Sequence, residues 1–461
     1  MVIPCPSGRG DFAPEGPLTY DHLTEVFRDA ETVSADWRIG AEAEKFGVDE
    51  LSGAPLAYGG PRGVLRVLQR LEEHFGWRPE GESAGGPVVA LRRGSASITL
   101  EPGAQLELSG SPLPDVHAIA REMREHLDEL GVVSSELRLA WLAAGFHPLA
   151  RQEELPWVPK SRYAVMREYL PARGSGALDM MRRTATIQAN YDFANETDAL
   201  DKLRVTLRVA PIVNAMTANS PLLEGAFAGF QSLRQDVWLR MDPERSGLIP
   251  KLWTDKPLGY RDYIEWALDA GMFLFKRNGQ MIVNSGQTFR SFLRHGYGGH
   301  VATLEDWRFH LNTLFPEVRL KSTLEVRCCD SLPAPWMMAV PALFAGLLYD
   351  RQALEAAWEL MAPVSYEQMS VRRRELATDG LNARIVGRVA YEYAEQLLDI
   401  AEGGLARRAR LDAFGKDERI HLRELSRLVH SRRSPADVLV EGLDPTDSDL
   451  RAKILARTRV V

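Results

Sequence analysis

The sequence has few cysteines and lacks a long hydrophobic run. Three cysteines, Cys5, Cys328 and Cys329, occur in 461 residues, which is too few for a disulfide framework, and two of them are adjacent, where a bridge would be strained. The longest nearly uncharged apolar stretch, residues 336–349, is interrupted by Pro341 and is shorter than the roughly 18–20 residues needed to cross a bilayer. The sequence therefore predicts neither a disulfide scaffold nor a membrane span.

Positive charge is not in excess either. The chain carries 56 Lys and Arg against 63 Asp and Glu, a formal net charge of −7, whereas a general nucleic-acid binder needs clustered cations and a positive field. No basic segment followed by an apolar run opens the sequence, so no secretory signal is predicted and the cytoplasm is the expected compartment. P-loop, HExxH and GxSxG motifs are missing as well, which argues against several common nucleotide-binding and hydrolytic classes.

The composition is that of a globular protein with a sizeable core, since 45% of the residues are hydrophobic. Length alone suggests about three domains at roughly 150 residues each. The sequence has no internal repeat, however, and its loop-like stretches are too short to be convincing linkers. We therefore predict a single catalytic domain over residues 1–461, with a largely helical C-terminal region at about 336–461.

Apolar residues that recur at three- and four-residue steps predict several amphipathic helices. In the clearest one, Asp115 caps residues 116–130 and Gly131 is expected to end the helix. The other predicted helices cover residues 61–75, 197–209, 260–270, 336–349 and most of 352–432. Helical structure is therefore expected mainly in the C-terminal third.

Five segments instead alternate polar and apolar residues, which predicts strands with one polar face. They are residues 37–44, 95–101, 105–108, 184–193 and 319–327. Any one polar face could simply lie in water, as is normal in antiparallel sheets. Glutamate, however, has a low strand propensity, so its repeated use on these faces needs a chemical reason.

The polar faces indicate a metal and phosphate site. If the strands share one sheet, four glutamates converge on one face, namely Glu42, Glu44, Glu107 and Glu325. Their charges would repel one another unless cations neutralised them, and carboxylate oxygens are the ligands that Mg²⁺ or Mn²⁺ prefers. Lys321 and Arg327 belong to the same pattern and would suit phosphate oxygens. The pattern by itself is equally compatible with a plain polar sheet surface.

Seven phrases on and around these strands resemble the plant-type glutamate–cysteine ligases, a family shared by plants and many bacteria. The phrases keep their order and span about residues 20–400. They are RIGAEAEKFGV (38–48), SITLEPGAQLELSGSPL (97–113), PKSRYAVMREYLP (159–171), LDMMRRTATIQANYDF (178–193), TANSPLLEG (217–225), NGQMIVNSGQTFRSFL (278–293) and EDWRFHLNTLFPEVRLKSTLEVR (305–327). Seven collinear matches are far more specific than any single short motif.

The resemblance implies an α+β fold of the glutamine-synthetase type, in which helices surround a curved antiparallel sheet whose concave face holds Mg²⁺ or Mn²⁺ and the phosphates of ATP. It also implies ATP-dependent joining of the γ-carboxyl of L-glutamate to the amino group of L-cysteine through a γ-glutamyl phosphate, the first step of glutathione synthesis. The expected partners are therefore small molecules, with no nucleic acid and no membrane. The expected assembly is a monomer or a homodimer.

The resemblance also implies roles for individual residues. Arg327 is expected to stabilise the transferring phosphoryl group and the tetrahedral intermediate, and Lys321 is expected to bind phosphate. The expected metal ligands are Glu42, Glu44, Glu107 and Glu325, with Glu101 and Gln188 as less direct members. The candidates for substrate binding are Arg183, Arg290, Arg162 and Asn190, with Arg183 and Arg290 preferred over Arg162. Each of these side chains could instead have a structural role in or near the sheet.

One segment departs from the family. After Arg327, many members continue with Gly-Ala-Asp-Gly-Gly, whereas this chain reads Cys-Cys-Asp-Ser-Leu-Pro at 328–333. Because this segment adjoins the active-site strand, a different amine acceptor stays open, as does a role of the same product in ergothioneine synthesis. A non-catalytic relative that binds nucleotide or glutamate, and a kinase-like enzyme that releases a phosphorylated carboxylate, are two further hypotheses. Cys328 and Cys329 are expected to pack as small apolar side chains, without the redox bridges of plant members.

Overall fold

The computed structural model describes residues 18–82, 85–278 and 280–461, so Cys5 lies outside the described residues. The strands are β1 (Ile39–Asp49), β2 (Arg78–Gly81), β3 (Val88–Arg93), β4 (Ala96–Leu100), β5 (Leu106–Ser109), β6 (Leu139–Leu142), β7 (Thr186–Tyr191), β8 (Leu222–Leu223), β9 (Ala226–Phe227), β10 (Ser246–Gly247), β11 (Leu274–Arg277), β12 (Gln280–Val283), β13 (Phe315–Pro316), β14 (Val318–Leu320), β15 (Leu324–Asp330), β16 (Arg384–Ile385) and β17 (Arg388–Val389). The helices are α1 (Tyr20–Arg28), α2 (Val64–Phe75), α3 (Val116–Leu137), α4 (Ser161–Tyr169), α5 (Ala177–Arg183), α6 (Glu196–Met216), α7 (Leu233–Leu239), α8 (Tyr260–Asp269), α9 (Phe289–His295), α10 (Leu304–Leu311), α11 (Ala334–Met337), α12 (Ala339–Leu348), α13 (Arg351–Met361), α14 (Tyr366–Asp379), α15 (Ala390–Arg408), α16 (Arg423–His430), α17 (Pro435–Val440) and α18 (Leu450–Thr458). Among the helices described, none is long and apolar enough to span a membrane.

Nine strands form the central antiparallel sheet. Their order is β14-β15-β7-β1-β5-β4-β3-β2, and β6 pairs with the far end of β1. Directly opposed residues of antiparallel strands point to the same face. Three such pairs are Glu42 opposite Gln188, Glu44 opposite Glu107 and Glu325 opposite Asn190. The glutamates predicted to converge do lie on one face of this sheet.

Residues 319–327 do not form the single strand predicted from their alternation. They fold as the β14–β15 hairpin, and in its connection the Lys321 amide donates to the Thr323 carbonyl at 2.9 Å. Arg319 therefore lies directly opposite Glu325. Because the connection has three residues, 321–323, odd-numbered side chains stay on the same face in both strands. Alternation alone could not reveal this turn, since the pattern is identical with and without it.

Three predicted helix boundaries are wrong. The helix predicted over 197–209 continues through Pro211 to Met216 as α6. α3 continues past Gly131 to Leu137, although glycine in a helix interior costs about 1 kcal/mol relative to alanine. Buried Val133 lies beyond this glycine and attaches the next turn of α3 to the core. α2 begins at Val64 rather than at residue 61, because the preceding residues form a turn.

The C-terminal helices follow the prediction in outline but are divided. Residues 336–349 are split between α11 and α12, and residues 352–432 contain α13 to α16 together with the short β16–β17 hairpin. From residue 334 onward the structure consists of eight α-helices, two short 3-10 helices (Gly380–Asn382 and Glu418–His421), that hairpin and their connections, so this part of the chain is largely helical. That residues 1–461 form a single catalytic domain stays a prediction.

Helices cover the apolar face of the sheet. α12 contacts β7 and β1, α6 contacts β15, and α15 packs on the outer side of α12. Gly346 of α12 and Gly404 of α15 meet at their crossing, where a Cβ on Gly404 would collide with the backbone carbonyl of Gly346. The close approach of these two helix backbones therefore requires glycine at position 404.

We expect Gly404→Ala to lower the free energy of unfolding by about 1–3 kcal/mol, the cost of forcing extra volume into a packed core. Urea denaturation measures this change. The matched control is Gly131→Ala in α3, where the nearest atom to a new Cβ is Val461 Cγ1 at 3.8 Å, so that variant should be as stable as the parent or more so. Equal denaturation midpoints for Gly404→Ala and the parent would contradict the expected clash.

Candidate active site

The polar face of the central sheet forms one wall of a cavity of about 120 Å³. β1, β5 and β7 contribute carboxylate and amide side chains, and the β14–β15 hairpin contributes Arg319 and Arg327. The facing wall is largely apolar and includes Met166, Met180 and Phe273. Charged groups on the sheet thus share the cavity with apolar side chains, and less polar surroundings strengthen electrostatic interactions.

Three carboxyl groups on the sheet have surroundings that disfavour their negatively charged forms. Glu42 accepts a hydrogen bond from Asn190 Nδ2 at 2.9 Å, and Glu44 accepts one from the Thr186 amide at 2.9 Å. Burial and repulsion by the neighbouring glutamates, Glu107 first among them, raise the pKa of Glu42 to about 8 and the pKa of Glu44 well above its usual range. Burial likewise raises the pKa of Glu107. A bound cation would relieve this repulsion.

Glu325 has the opposite environment. It is fully buried and accepts hydrogen bonds from Arg319 Nε and Nη2 at 2.9 and 2.8 Å, from Lys321 Nζ at 2.9 Å and from Arg327 Nη1 at 2.5 Å. Burial alone would raise the pKa of Glu325, but Arg319, Lys321 and Arg327 together hold it well below its usual range. One carboxylate thus organises three cations, and their excess positive charge suits phosphate.

Arg327 lies between the cluster of carboxylates and the cluster of cations on the polar face of the sheet. Its Nη1 also donates to Gln188 Oε1 at 2.7 Å, and its backbone amide donates to the Glu317 carbonyl at 3.0 Å. Burial would lower the pKa of Arg327, but Glu325, Glu42 and Glu44 raise it. The guanidinium is therefore charged and held at the boundary between the carboxylates and the cations.

Glu101 and Arg162 also line the cavity. Burial would raise the pKa of Glu101, but Lys160 and Arg162 bring it below its usual value. Among the described residues, the one hydrogen-bond partner of the Arg162 guanidinium is Tyr163 Oη at 3.2 Å. Arg162 is therefore in a position to bind a further anion in the cavity.

Neither Arg183 nor Arg290 is among the residues that line the cavity. Arg183 is buried, and its guanidinium donates to the Ala150 carbonyl at 2.9 Å and to Glu224 at 3.1 Å. Arg290 forms ion pairs with Asp269 at 2.6 Å and with Glu265 at 2.8 Å. These contacts are structural, so the predicted order of preference is reversed and Arg162 is the best placed of the three arginines.

Asn190 and Lys321 lie beside the cavity rather than on its lining. Asn190 joins β7 to the hairpin, because its Nδ2 donates to Glu42 and its Oδ1 accepts from Thr323 Oγ1 at 3.1 Å. Lys321 donates to Glu325 and, at 3.3 Å, to Asn312 Oδ1. Both side chains therefore hold the carboxylates and cations in place.

Sequence reasoning missed Arg234 and Arg319, which both line the cavity. Arg319 had a signal, since it shares the polar alternation of Glu325. Arg234 had none, because it lies on α7, far along the chain from the strands. Its Nη1 and Nη2 donate to the backbone carbonyls of Cys328 and Arg327 at 3.1 and 2.9 Å. Only the fold brings this arginine to the active-site strand.

The residues present fit a divalent cation. Within the described part of the chain, no three His, Cys, Asp or Glu side chains stand close enough to hold a metal ion by themselves. Mg²⁺ in phosphate-transfer sites is commonly bound by one or two carboxylates, several waters and the phosphates of the nucleotide rather than by a cage of protein ligands. The under-neutralised oxygens of Glu42, Glu44 and Glu107 suit that kind of coordination.

The helix-covered antiparallel sheet agrees with the predicted α+β fold of the glutamine-synthetase type. The predicted α+β fold is supported by the crystal structure of a glutamate–cysteine ligase from Francisella tularensis in complex with AMP. That structure superposes with a TM-score of 0.55 at 14% sequence identity, over 92% of this chain and 87% of the other.

The chain belongs to the glutamate–cysteine ligase family 2, whose family model matches residues 38–451. The chloroplastic glutamate–cysteine ligase of Brassica juncea is 37% identical over 428 residues, which cover 92% of this chain and 81% of the relative. The chloroplastic glutamate–cysteine ligase B of Oryza sativa subsp. japonica is 37% identical over 427 residues, covering 92% and 84%. The resemblance that seven short phrases suggested is thus confirmed over nearly the whole chain.

Proposed function

We propose that this protein is an ATP-dependent glutamate–cysteine ligase, which joins the γ-carboxyl of L-glutamate to the amino group of L-cysteine and releases ADP and phosphate. The observation that carries the proposal is the sheet face on which under-neutralised carboxylates adjoin three cations gathered by Glu325. Such a face can hold a metal-bound nucleotide phosphate next to a carboxylate substrate. Membership of the family supports the same reaction.

The chemistry assigns a task to each group. A carboxylate is a poor electrophile, so ATP must first convert the γ-carboxyl of glutamate to an acyl phosphate. Arg319, Lys321 and Arg327 stabilise the negative charge of the phosphoryl group during transfer, and Arg327 also stabilises the oxyanion that forms when the amine attacks. The residues that would hold Mg²⁺ or Mn²⁺ are Glu42, Glu44 and Glu107, adjoined by Glu101, Gln188 and Glu325. A bound metal ion would neutralise phosphate charge.

The remaining cavity groups bind substrate and exclude water. Arg162 is our candidate for the α-carboxylate of glutamate, because its guanidinium has one uncharged partner, Tyr163, among the described residues and can offer a paired donor face to a carboxylate. The apolar wall around Met166, Met180 and Phe273 keeps water away from an acyl phosphate. Exclusion of water prevents hydrolysis of such an intermediate before the amine arrives.

The structure bears on the choice of acceptor. Cys328 and Cys329 are fully buried in the apolar core and are not among the residues that line the cavity. They pack as small apolar side chains, as expected. The departure at 328–333 therefore lies behind the cavity wall, and this favours cysteine, the acceptor of the family, over another amine.

The test is release of ADP by the purified protein from Mg·ATP and glutamate, with and without cysteine, together with mass spectrometry of the products. We expect cysteine-dependent ADP release and γ-glutamylcysteine. ADP that depends on a different amine would move the proposal to that acceptor, and ADP without an amide product would indicate a kinase-like enzyme. No ADP with any amine would mean a non-catalytic binding protein.

Three features of the proposal are carried by the sequence alone and stay predictions. They are the place of the product in glutathione rather than ergothioneine synthesis, the monomeric or homodimeric state, and the cytoplasmic location. The curated plant relatives are named as chloroplast proteins. Light scattering of the purified protein tests the second feature directly, and cell fractionation tests the third.

A further inference from the structure

The active-site strand β15 contains an irregularity immediately after Arg327. Val326 lies opposite Ala189, but the next pair in register is Cys329 opposite Ile187. Between these pairs β15 has two residues, whereas β7 has one. Such a bulge shifts the alternation of the strand by one residue. Beyond the bulge, the even-numbered Asp330 lies opposite Thr186 and is therefore on the same face of the sheet. Thr186 lines the cavity.

Asp330 is held tightly below the cavity. It is fully buried and accepts hydrogen bonds from the Asn219 amide at 2.8 Å, from Ser220 Oγ at 2.6 Å and from Ser232 Oγ at 2.9 Å. Gly145 presses against it so closely that a Cβ at position 145 would collide with its carboxylate. Burying a carboxylate is costly unless hydrogen bonds and a counter-charge compensate it, so the partners of Asp330 are part of its environment.

The charge of Asp330 faces Arg234. The Arg234 guanidinium lies 3.9 Å from Asp330, which is the one carboxylate within 4.0 Å of it among the described residues. The same guanidinium donates to the carbonyls of Cys328 and Arg327, the two residues at the bulge. Arg234 therefore connects the buried charge of Asp330 to the main chain that carries Arg327.

We propose that Asp330 is a positioning residue for the ligase reaction, which acts through Arg234 to hold the bulge and thereby aims the Arg327 guanidinium at the cavity. The inference rests on the proposed function. Without the negative charge at position 330, Arg234 is drawn toward Glu44, the other carboxylate that acts on it. Its bonds to the bulge carbonyls then weaken, and Arg327 loses its alignment.

The first test is Asp330→Asn. The substitution keeps the size of the side chain, and the amide can still accept from the Asn219 amide and donate to Ser232 Oγ, so the fold should persist. We expect kcat to fall at least about tenfold, because small misplacements of a catalytic group are expensive, while KM for glutamate changes little. Gly145→Ala, which displaces the Asp330 carboxylate without changing any charge, should likewise lower kcat and leave KM for glutamate nearly unchanged. The Gly131→Ala control should change neither constant.

A double-mutant cycle separates positioning from a general structural role. If Asp330 acts through Arg327, then Asp330→Asn added to Arg327→Ala lowers kcat no further than Arg327→Ala alone. Multiplicative losses, or wild-type kcat in both Asp330→Asn and Gly145→Ala, would overturn the inference. If Asp330→Asn does not fold, the same cycle is measured with Gly145→Ala in its place, and the same criterion applies to kcat. A parent protein without ligase activity would refute the proposed function instead, so the two failures are distinguishable.

Discussion

Replacing Arg327 by alanine is expected to lower kcat by at least about a hundredfold, the scale seen when a donor to transition-state charge is removed. The Arg327 guanidinium lies between the carboxylates and the cation cluster, bonded to Gln188 and Glu325. In the proposed reaction we therefore expect it to lie beside both the transferring phosphoryl group and the tetrahedral intermediate. Stability should change little, because Arg319 and Lys321 still neutralise Glu325 in the variant.

The measurement is steady-state ligase kinetics together with thermal unfolding. Arg92→Ala is the matched control, since Arg92 belongs to β3 of the same sheet, pairs with Glu80 at 3.0 Å and is not among the residues lining the cavity. That control should keep near-wild-type kcat. If Arg327→Ala were equally active, Arg327 would have no place in the transition state and the phosphate would have to be held by Arg319 and Lys321 alone.

Removal of divalent metal ions by a chelator is expected to abolish turnover, and Glu42→Gln is expected to weaken Mg²⁺ binding by about tenfold or more, the range found when groups around a metal are removed. The physical reason is that burial and neighbouring carboxylates disfavour the charged forms of Glu42, Glu44 and Glu107, so they hold their charge with a cation, and a chelator removes the cation that would join them to the phosphates of ATP. Calorimetry with Mg²⁺ and a non-hydrolysable ATP analogue measures binding without relying on turnover.

The same site predicts the sign of a pH dependence. The pKa of Glu42 in the metal-free protein is about 8, so below that pH Mg²⁺ must displace a proton, and binding weakens as the proton concentration rises. The Mg²⁺ concentration at half-saturation should fall as the pH is raised from acid toward 8, because Glu42 loses its proton over this range. Glu42→Gln should flatten this dependence, whereas Glu80→Gln, on the exposed edge strand β2, should leave it intact. Full activity in excess chelator would contradict the metal proposal.

Alternation along the strands was sufficient to place the carboxylates, because the direction of a strand side chain depends only on whether its position is odd or even. Glu42, Glu44 and Glu107 lie on the cavity wall where that rule puts them. The same rule missed the hairpin at 321–323, since a three-residue connection leaves the pattern unchanged. The sequence therefore predicted which face of the sheet is polar, but it did not predict that residues 319–327 form two strands joined by a turn.

The arginines show where local reasoning ends. Arg183 and Arg290 were preferred over Arg162 from the sequence, but each of the two forms ion pairs with acidic partners outside the cavity. Arg234 gave no local signal, yet the packing of α7 places it against the bulge of β15. The partners of a long, flexible cation are set by whichever carboxylates and carbonyls the fold brings near, and those lie far away along the chain.

The sequence by itself determined the family, the α+β class, the helical C-terminal third and the polar faces of the strands, because these depend on short phrases and on side-chain periodicity. Only the tertiary structure decided the charge state of the site. Glu325 and Glu42 are the same residue type on one sheet face, but three cations surround the first, whereas burial and neighbouring carboxylates act on the second. Electrostatic environment is a sum over residues distant in sequence, and it exists only once the chain has folded.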